Sequence, residues 1–233
     1  MKKYAVILSG GVGSRMGLNI PKQYALVEGE PIISYCLRTF FANDQTDAVV
    51  IGVAKEWKEF VAEWLAKVVP TKPVFFAEPG ETRQYSIFNA LEVIEQNGGT
   101  EGDVVIIHDA ARPLVSQELI NRCYDECEIA DGVLPVIAVK DTVYFSNDGK
   151  QIESLLDRSK LWAGQAPEAF LFKKYLQAHR DLPREELLKI NGSTELAYRV
   201  GMNCHLVAGD PMNFKITTPE DLTNFENIIA NRR

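Results

Sequence analysis

The stretch Tyr4-Ala5-Val6-Ile7-Leu8-Ser9-Gly10-Gly11-Val12-Gly13-Ser14-Arg15 decides the fold. Its first five residues are apolar without a polar break, as in strands buried on both faces of a parallel sheet. The run stops at Ser9 and passes into a loop with glycine at 10, 11 and 13. Glycine lets the backbone take positive φ and approach a ligand closely. A strand that feeds such a loop reads as the opening of an α/β sheet, where ligands bind beyond the carboxyl ends of the strands.

The same pattern recurs along the chain. Short apolar runs stand at 48–53, 73–76, 104–107 and 132–139. Helical patterns lie between them at 32–41, 57–69, 84–95 and 118–129, the last with Ser116 as its cap. Alternation of this kind predicts a doubly wound, mostly parallel sheet with right-handed crossovers. After Val139 the pattern changes. Residues 141–157 read as two polar-rich strands turning at Asp148-Gly149, so that 140–158 form a β-arm protruding from the sheet. Segments 173–179 and 196–200 read as helical, and 204–207 and 214–216 as short strands. Thr218-Pro219-Glu220-Asp221 opens a last helix, with Thr218 at the cap and Asp221 as the acidic partner of a capping box. There is no repeat, low-complexity tract or linker, and residues 1–233 read as one domain.

The composition, 46% hydrophobic and 24% charged, is that of an ordinary globular chain. A net charge of −7 argues against nucleic acid as a partner. A local basic pocket remains compatible with it. The apolar run near the N-terminus is too short for a secretion signal or a membrane span, so no membrane partner is expected. Cys36, Cys123, Cys127 and Cys204 form no CxxC, and only three histidines accompany them. They read as reduced thiols of a cytoplasmic protein rather than as zinc ligands.

Three constellations carry chemistry. In the first, Arg15 and Lys22 add fixed positive charge to the glycine loop, whose amides can form an anion nest, a combination suited to a triphosphate. Arg15 stands where a Walker A loop needs its closing Gly, and Met16 stands where a dinucleotide fingerprint needs its third glycine. The bland alternative is a tight strand-to-helix turn with two surface cations. In the second, Val105-Ile106-Ile107-His108-Asp109-Ala110-Ala111-Arg112-Pro113, an apolar strand ends in a carboxylate. Asp109 could hold Mg²⁺, and Arg112 could grip an anion with its planar fork. Alternatively Asp109 caps the next turn and pairs with Arg112. His108 reads as structural. In the third, Asn213-Phe214-Lys215-Ile216-Thr217-Thr218-Pro219, Lys215 by itself reads as a lysine snorkelling to solvent.

Taken as ordered blocks, the sequence resembles the 2-C-methyl-D-erythritol 4-phosphate and ribitol 5-phosphate cytidylyltransferases along nearly its whole length. The blocks are Gly10 to Met16 with Pro21-Lys22-Gln23, Gly80 with Arg83 and Ser86, and His108 to Pro113. They continue through Asp141-Thr142, Asp157-Arg158 with Leu161-Trp162, Gln165 to Phe170, and Phe214 to Leu222. The resemblance implies a Rossmann-like nucleotidyltransferase that moves CMP from CTP to a sugar-alcohol phosphate and releases pyrophosphate. It implies that Ser9, Gly10, Gly11, Gly80, Ser86 and Ala110 hold the cytidine nucleotide and that Arg83 also binds substrate. Arg15 and Lys22 would hold the triphosphate and Lys215 the α-phosphate, with Asp109 beside Mg²⁺. Arg112, with Thr142 and Arg158 from the arm of a second subunit, would hold the acceptor phosphate of a homodimer. Methylerythritol 4-phosphate is the expected acceptor, ribitol 5-phosphate the second. A non-catalytic nucleotide-binding module is the alternative of another class, against which intact Arg15, Lys22, Asp109 and Lys215 speak. The sequence departs from the family pattern at Pro79-Gly80, at Gln165-Ala166-Pro167-Glu168 in place of Gln-Thr-Pro-Gln, and at Asn191-Gly192-Ser193-Thr194-Glu195 in place of a Thr-Asp pair.

Overall fold

Parallel pairing of β1 (Lys3–Leu8) with two neighbours sets the frame of the molecule, a computed structural model that describes residues 1–11 and 20–232. Chain order continues with β2 (Leu26–Val27), β3 (Glu30–Pro31), α1 (Ile32–Ala42), β4 (Ala48–Gly52), α2 (Lys58–Val68), β5 (Val74–Ala77) and α3 (Arg83–Gln96). Then come β6 (Val104–Asp109), α4 (Gln117–Glu126), β7 (Gly132–Ala138), β8 (Val143–Phe145), β9 (Ser154–Leu156), β10 (Trp162–Gly164) and β11 (Glu168–Leu171). The chain closes with α5 (Phe172–Asp181), α6 (Arg184–Leu187), α7 (Ser193–Arg199), β12 (Cys204–Ala208) and α8 (Pro219–Ala230).

The main sheet is mixed and mostly parallel. β6, β1, β4 and β5 run parallel in that order. On the other side of β6, β11 pairs with it antiparallel, and β7 pairs antiparallel with both β11 and β10. β12 pairs parallel with β7. Successive side chains of a strand point to opposite faces. Ala5 and Ile7 therefore pack with Cys36, Phe40 and Ile120 beneath α1 and α4. Tyr4 and Val6 pack with Ile87, Leu91, Phe170 and Leu176 beneath α3 and α5. Apolar cover on both faces explains the unbroken apolar runs. A third cluster seats Phe225 and Ile229 of α8 on Ile216 and Ile32.

Caps follow the sequence. Ser116 accepts from Leu119 N–H, and Thr218 accepts from Asp221 N–H while Asp221 accepts in return from Thr218 N–H. Two local expectations need correction, and one strand was not foreseen. Residues 214–216 form no strand; the segment is irregular and is anchored where Ile216 N–H donates to Ala111 O at 2.8 Å. β8 and β9 do pair, with Tyr144 opposite Leu155, but 146–153 join them as a longer loop rather than a tight turn at Asp148-Gly149. Asp148 Oδ1 accepts from Lys150 N–H and Gln151 N–H, which rounds that loop. Glu168–Leu171, a stretch with no clear pattern in the sequence, is a strand inside the sheet.

Candidate active site

The in-register pairing of β1 with β6 sets Leu8 beside Asp109, so the glycine loop and the strand-end carboxylate leave the sheet together. Ser9 is buried. Its N–H and its hydroxyl both donate to Gly52 O, at 2.9 and 2.7 Å, so the residue fixes the start of the loop from below. Gln23 Nε2 donates to Ser9 O at 2.5 Å and to Gly11 O at 2.8 Å, and Tyr24 OH donates to Ser9 O at 3.0 Å. The sequence named Gln23 only within the Pro21-Lys22-Gln23 block, with no role, and did not single out Tyr24, although both follow Lys22 directly. Lys22 opens the short 3₁₀ turn that carries them, which places it beside the loop base. Arg15 lies outside the described residues, with the rest of 12–19.

Close approach explains two glycines. A Cβ on Gly10 would stand 2.5 Å from Pro79 Cβ, and one on Gly80 would collide with Tyr85 Cβ and lie 2.9 Å from Ser86 N. The loop before α3 therefore packs against both the glycine loop and its own helix. Ser86 Oγ accepts from Gly80 N–H at 3.0 Å and donates to Thr82 O at 2.9 Å. Ala110 N–H donates to Leu8 O at 3.0 Å.

At the end of β6 three cations converge on one carboxylate. Lys215 Nζ is 2.9 Å from Asp109 Oδ2, Arg83 Nε 3.3 Å from Oδ1, and Arg112 Nε 3.8 Å from Oδ2. Burial by itself pushes the Asp109 carboxyl up; Arg83, Lys215 and Arg112 outweigh it and hold it well below the usual carboxylate range. Arg112 is braced by its Nη1, which donates to Asn213 O at 2.8 Å, and Asn213 Nδ2 donates to Ala166 O. Arg83 is committed within the protein: Nη1 donates to Ser193 Oγ at 2.5 Å and Nη2 reaches Glu168 Oε1 at 3.4 Å. His108 is fully buried against Phe40, with Nε2 at 3.0 Å from Arg112 O, and burial pushes its pKa down to about 4. It is a structural, neutral histidine, in keeping with the sequence reading.

A cavity of about 390 Å³ opens on this cluster. Arg83, Asp109, Arg112 and Lys215 line it together with Glu168, Gly192 and Thr194. Thr142 and Arg158 do not line it: both are exposed on the β8–β9 arm, where Arg158 Nη1 donates to Lys140 O at 2.8 Å. The structure thus brings Arg83, Asp109, Arg112 and Lys215 together, sets Ser9, Gly10, Gly11, Lys22, Gly80, Ser86 and Ala110 around the neighbouring strand end, and leaves Thr142 and Arg158 apart.

Mg²⁺ takes six oxygen ligands, commonly one or two carboxylates with substrate phosphates and water. No group of three or more His, Cys, Asp or Glu side chains gathers to hold a metal among the described residues. Of the carboxylates that line the cavity, Glu168 is taken up by Ser193 and Thr194 and Glu195 by Arg199, so Asp109 fits the ion as a partner of bound phosphates, not as a cage of its own.

Bringing a triphosphate and a second phosphate to one strand end, with cations to offset both, is the task of a nucleotidyltransferase, and this Rossmann-like sheet is of that class. The chain belongs to the IspD family, described as 2-C-methyl-D-erythritol 4-phosphate cytidylyltransferase, whose family model matches residues 4–231. A Clostridium beijerinckii protein of that name is 33% identical over 97% of this chain and 98% of its own. A Streptococcus agalactiae protein named ribitol-5-phosphate cytidylyltransferase is also 33% identical, over 97% of this chain and 94% of its own. The crystal structure of a 4-diphosphocytidyl-2C-methyl-D-erythritol synthase from Anaerococcus prevotii has the same fold, with a TM-score of 0.83 at 22% identity, covering 98% of each chain.

Proposed function

We propose that the chain transfers CMP from CTP to the phosphate of a five-carbon sugar alcohol, releasing pyrophosphate, with methylerythritol 4-phosphate as first acceptor. The observation that carries this reading is the convergence of Arg83, Arg112 and Lys215 on Asp109, one strand from the glycine loop. An acceptor phosphate oxygen attacks the α-phosphorus in line as the bond to pyrophosphate breaks. The attacking oxygen is already ionised, so no general base is required. In support, His108, the nearest imidazole in sequence, is fully buried with its Nε2 taken by Arg112 O.

Two anions must meet, so positioning and charge neutralisation carry the rate. Gly10 and Gly11, with Arg15 and Lys22, receive the triphosphate, and Ser9, Gln23 and Tyr24 hold that loop start in place. Gly80, Ser86 and Ala110 border the cytidine. Lys215 takes the α-phosphate and Arg112 the acceptor phosphate. Asp109 would hold Mg²⁺, which supplies charge neutralisation to the phosphate oxygens. The exposed Tyr144, Phe145, Ile152 and Leu155 of the arm suit a homodimer, in which Thr142 and Arg158 of a second subunit complete the acceptor site. A substrate such as CTP suits a cytoplasmic setting; no helix among the described residues is long and apolar enough to cross a membrane. The Streptococcus agalactiae relative, equal in identity to the Clostridium one, favours ribitol 5-phosphate as the second acceptor.

Pyrophosphate release is measured with CTP and methylerythritol 4-phosphate, ribitol 5-phosphate, ribulose 5-phosphate or glycerol 3-phosphate. Turnover with a five-carbon polyol phosphate and little with glycerol 3-phosphate is expected. No release with any of them refutes the reading.

A further inference from the structure

Two departures from the family pattern, Glu168 and the Asn191–Glu195 segment, are one structure in space. Glu168 lies on β11 opposite Ile107 and is buried. Its Oε1 accepts from Ser193 Oγ at 2.7 Å. Its Oε2 accepts from Thr194 N–H at 2.8 Å and from Thr194 Oγ1 at 2.6 Å. Ser193 Oγ in turn accepts from Arg83 Nη1 at 2.5 Å, and Arg83 Nε reaches Asp109 at 3.3 Å. Tyr175 OH donates to Ser193 O at 3.1 Å and pins the same segment from below. A glutamine at 168 has one accepting edge and one donating edge; donors stand on both edges here, and only a carboxylate accepts from both. The serine, the threonine and the glutamate are therefore a matched set.

We propose that Glu168 is a positioning residue for the acceptor. It locks Ser193 and Thr194 at the start of α7, and Arg83 against Asp109. It thereby sets the part of the cavity wall, shared with Lys215 and Arg112, that takes the polyol end of the acceptor. This rests on the reading of the cavity as the acceptor site. Among the described residues the side-chain partners of Glu168 are Arg83, Ser193 and Thr194, none of them on the loop at 9–11 or at Gly80, Ser86 or Ala110. The consequence is selective: the acceptor side depends on Glu168 and the nucleotide side does not.

The test is steady-state pyrophosphate release by full-length Glu168→Gln, Thr194→Val and the double variant, with CTP and the acceptor varied in turn and Tm measured alongside. Hydrogen bonds to a charged group are strong enough that Glu168→Gln should raise the acceptor KM roughly tenfold or more. The KM for CTP should stay within about twofold. Thr194→Val should raise the acceptor KM as well, and the double variant should be no worse than Glu168→Gln, because both substitutions break one shared interaction. Should Glu168→Gln fail to fold, Ser193→Ala and Thr194→Val carry the same test singly. Equal rises in both KM values, additive losses or an unchanged acceptor KM overturn the proposal. A wild-type protein inert with CTP and every polyol phosphate defeats the underlying functional reading, a result distinct from an active wild type with indifferent variants.

Discussion

Lys215→Ala separates the chemistry of the site from its architecture. Lys215 Nζ stands 2.9 Å from Asp109 Oδ2, and the lysine side chain is 35% exposed. At that exposure water screens the pair, and its contribution to stability is about 1 kcal/mol or less. Asp109 keeps Arg83 at 3.3 Å and Arg112 at 3.8 Å when the lysine is gone, so no buried charge is left unpaired. For a chain of this length such a loss lowers Tm by roughly 2–4 °C. The catalytic cost is larger. Removing one preorganised donor from the charge that develops at a transition state costs about 10²–10³ in kcat, or roughly 3–4 kcal/mol. The assay is pyrophosphate release at saturating CTP and acceptor, with calorimetry on the same sample. Lys215→Arg retains the charge and should recover part of the rate. A Lys215→Ala variant with near-normal kcat refutes the assignment, and one that loses the rate only because Tm has collapsed refutes the argument about pairing.

Three further outcomes follow from named contacts. Gly80→Ala forces a Cβ into Tyr85 and Ser86 of α3, and overpacking of this kind costs about 1–3 kcal/mol; its urea midpoint should fall and its KM for CTP rise, and wild-type values for both would contradict the geometry. His108 and His179 are each pushed by burial from about 6.5 down to about 4, so they are neutral in the fold; the stability they permit is full above about pH 6.5 and is lost as pH falls toward 4, by up to about 3 kcal/mol each. A denaturation midpoint that stays flat from pH 7 to pH 4 would contradict that burial. On the arm, Tyr144→Asp with Leu155→Asp places two carboxylates at a directly opposed, exposed pair; sedimentation should show a monomer with a raised acceptor KM, and a wild-type protein that is itself monomeric defeats the proposed shared site.

What the sequence disclosed and what it hid have physical reasons. The apolar run of β1 was legible because both its faces are buried, so no polar residue interrupts it. Asp109 was legible because a strand buried along its whole length ends in a carboxylate. The caps at Ser116 and Thr218 were legible because their partners lie within three residues. β11 was not, because a four-residue strand containing Glu168 has no period of its own; its place is set by β6 and β7 on either side. The companionship of Lys215 with Asp109 was hidden for a related reason. It depends on the Ile216–Ala111 hydrogen bond, which joins segments far apart in the chain, and not on any local strand at 214–216.

The bracing of the cluster also says which cation can change partners when substrate arrives. Arg83 is tied to Ser193, Glu168 and Asp109 at once, and Arg112 to Asn213 O as well as to the carboxylate. Moving either would break hydrogen bonds that a phosphate would have to replace in full. Lys215 is held to Asp109 by one ion pair at the end of a flexible, partly exposed stem, and its three donors need no fixed plane. On the proposed function, an α-phosphate entering from the glycine loop would draw Lys215 first, which would free Asp109 Oδ2 for the cation it would hold, while the two arginines keep their ties within the protein. On the proposed reading, the resting ion pairs hold both arginines in their binding positions and leave the lysine as the group that responds.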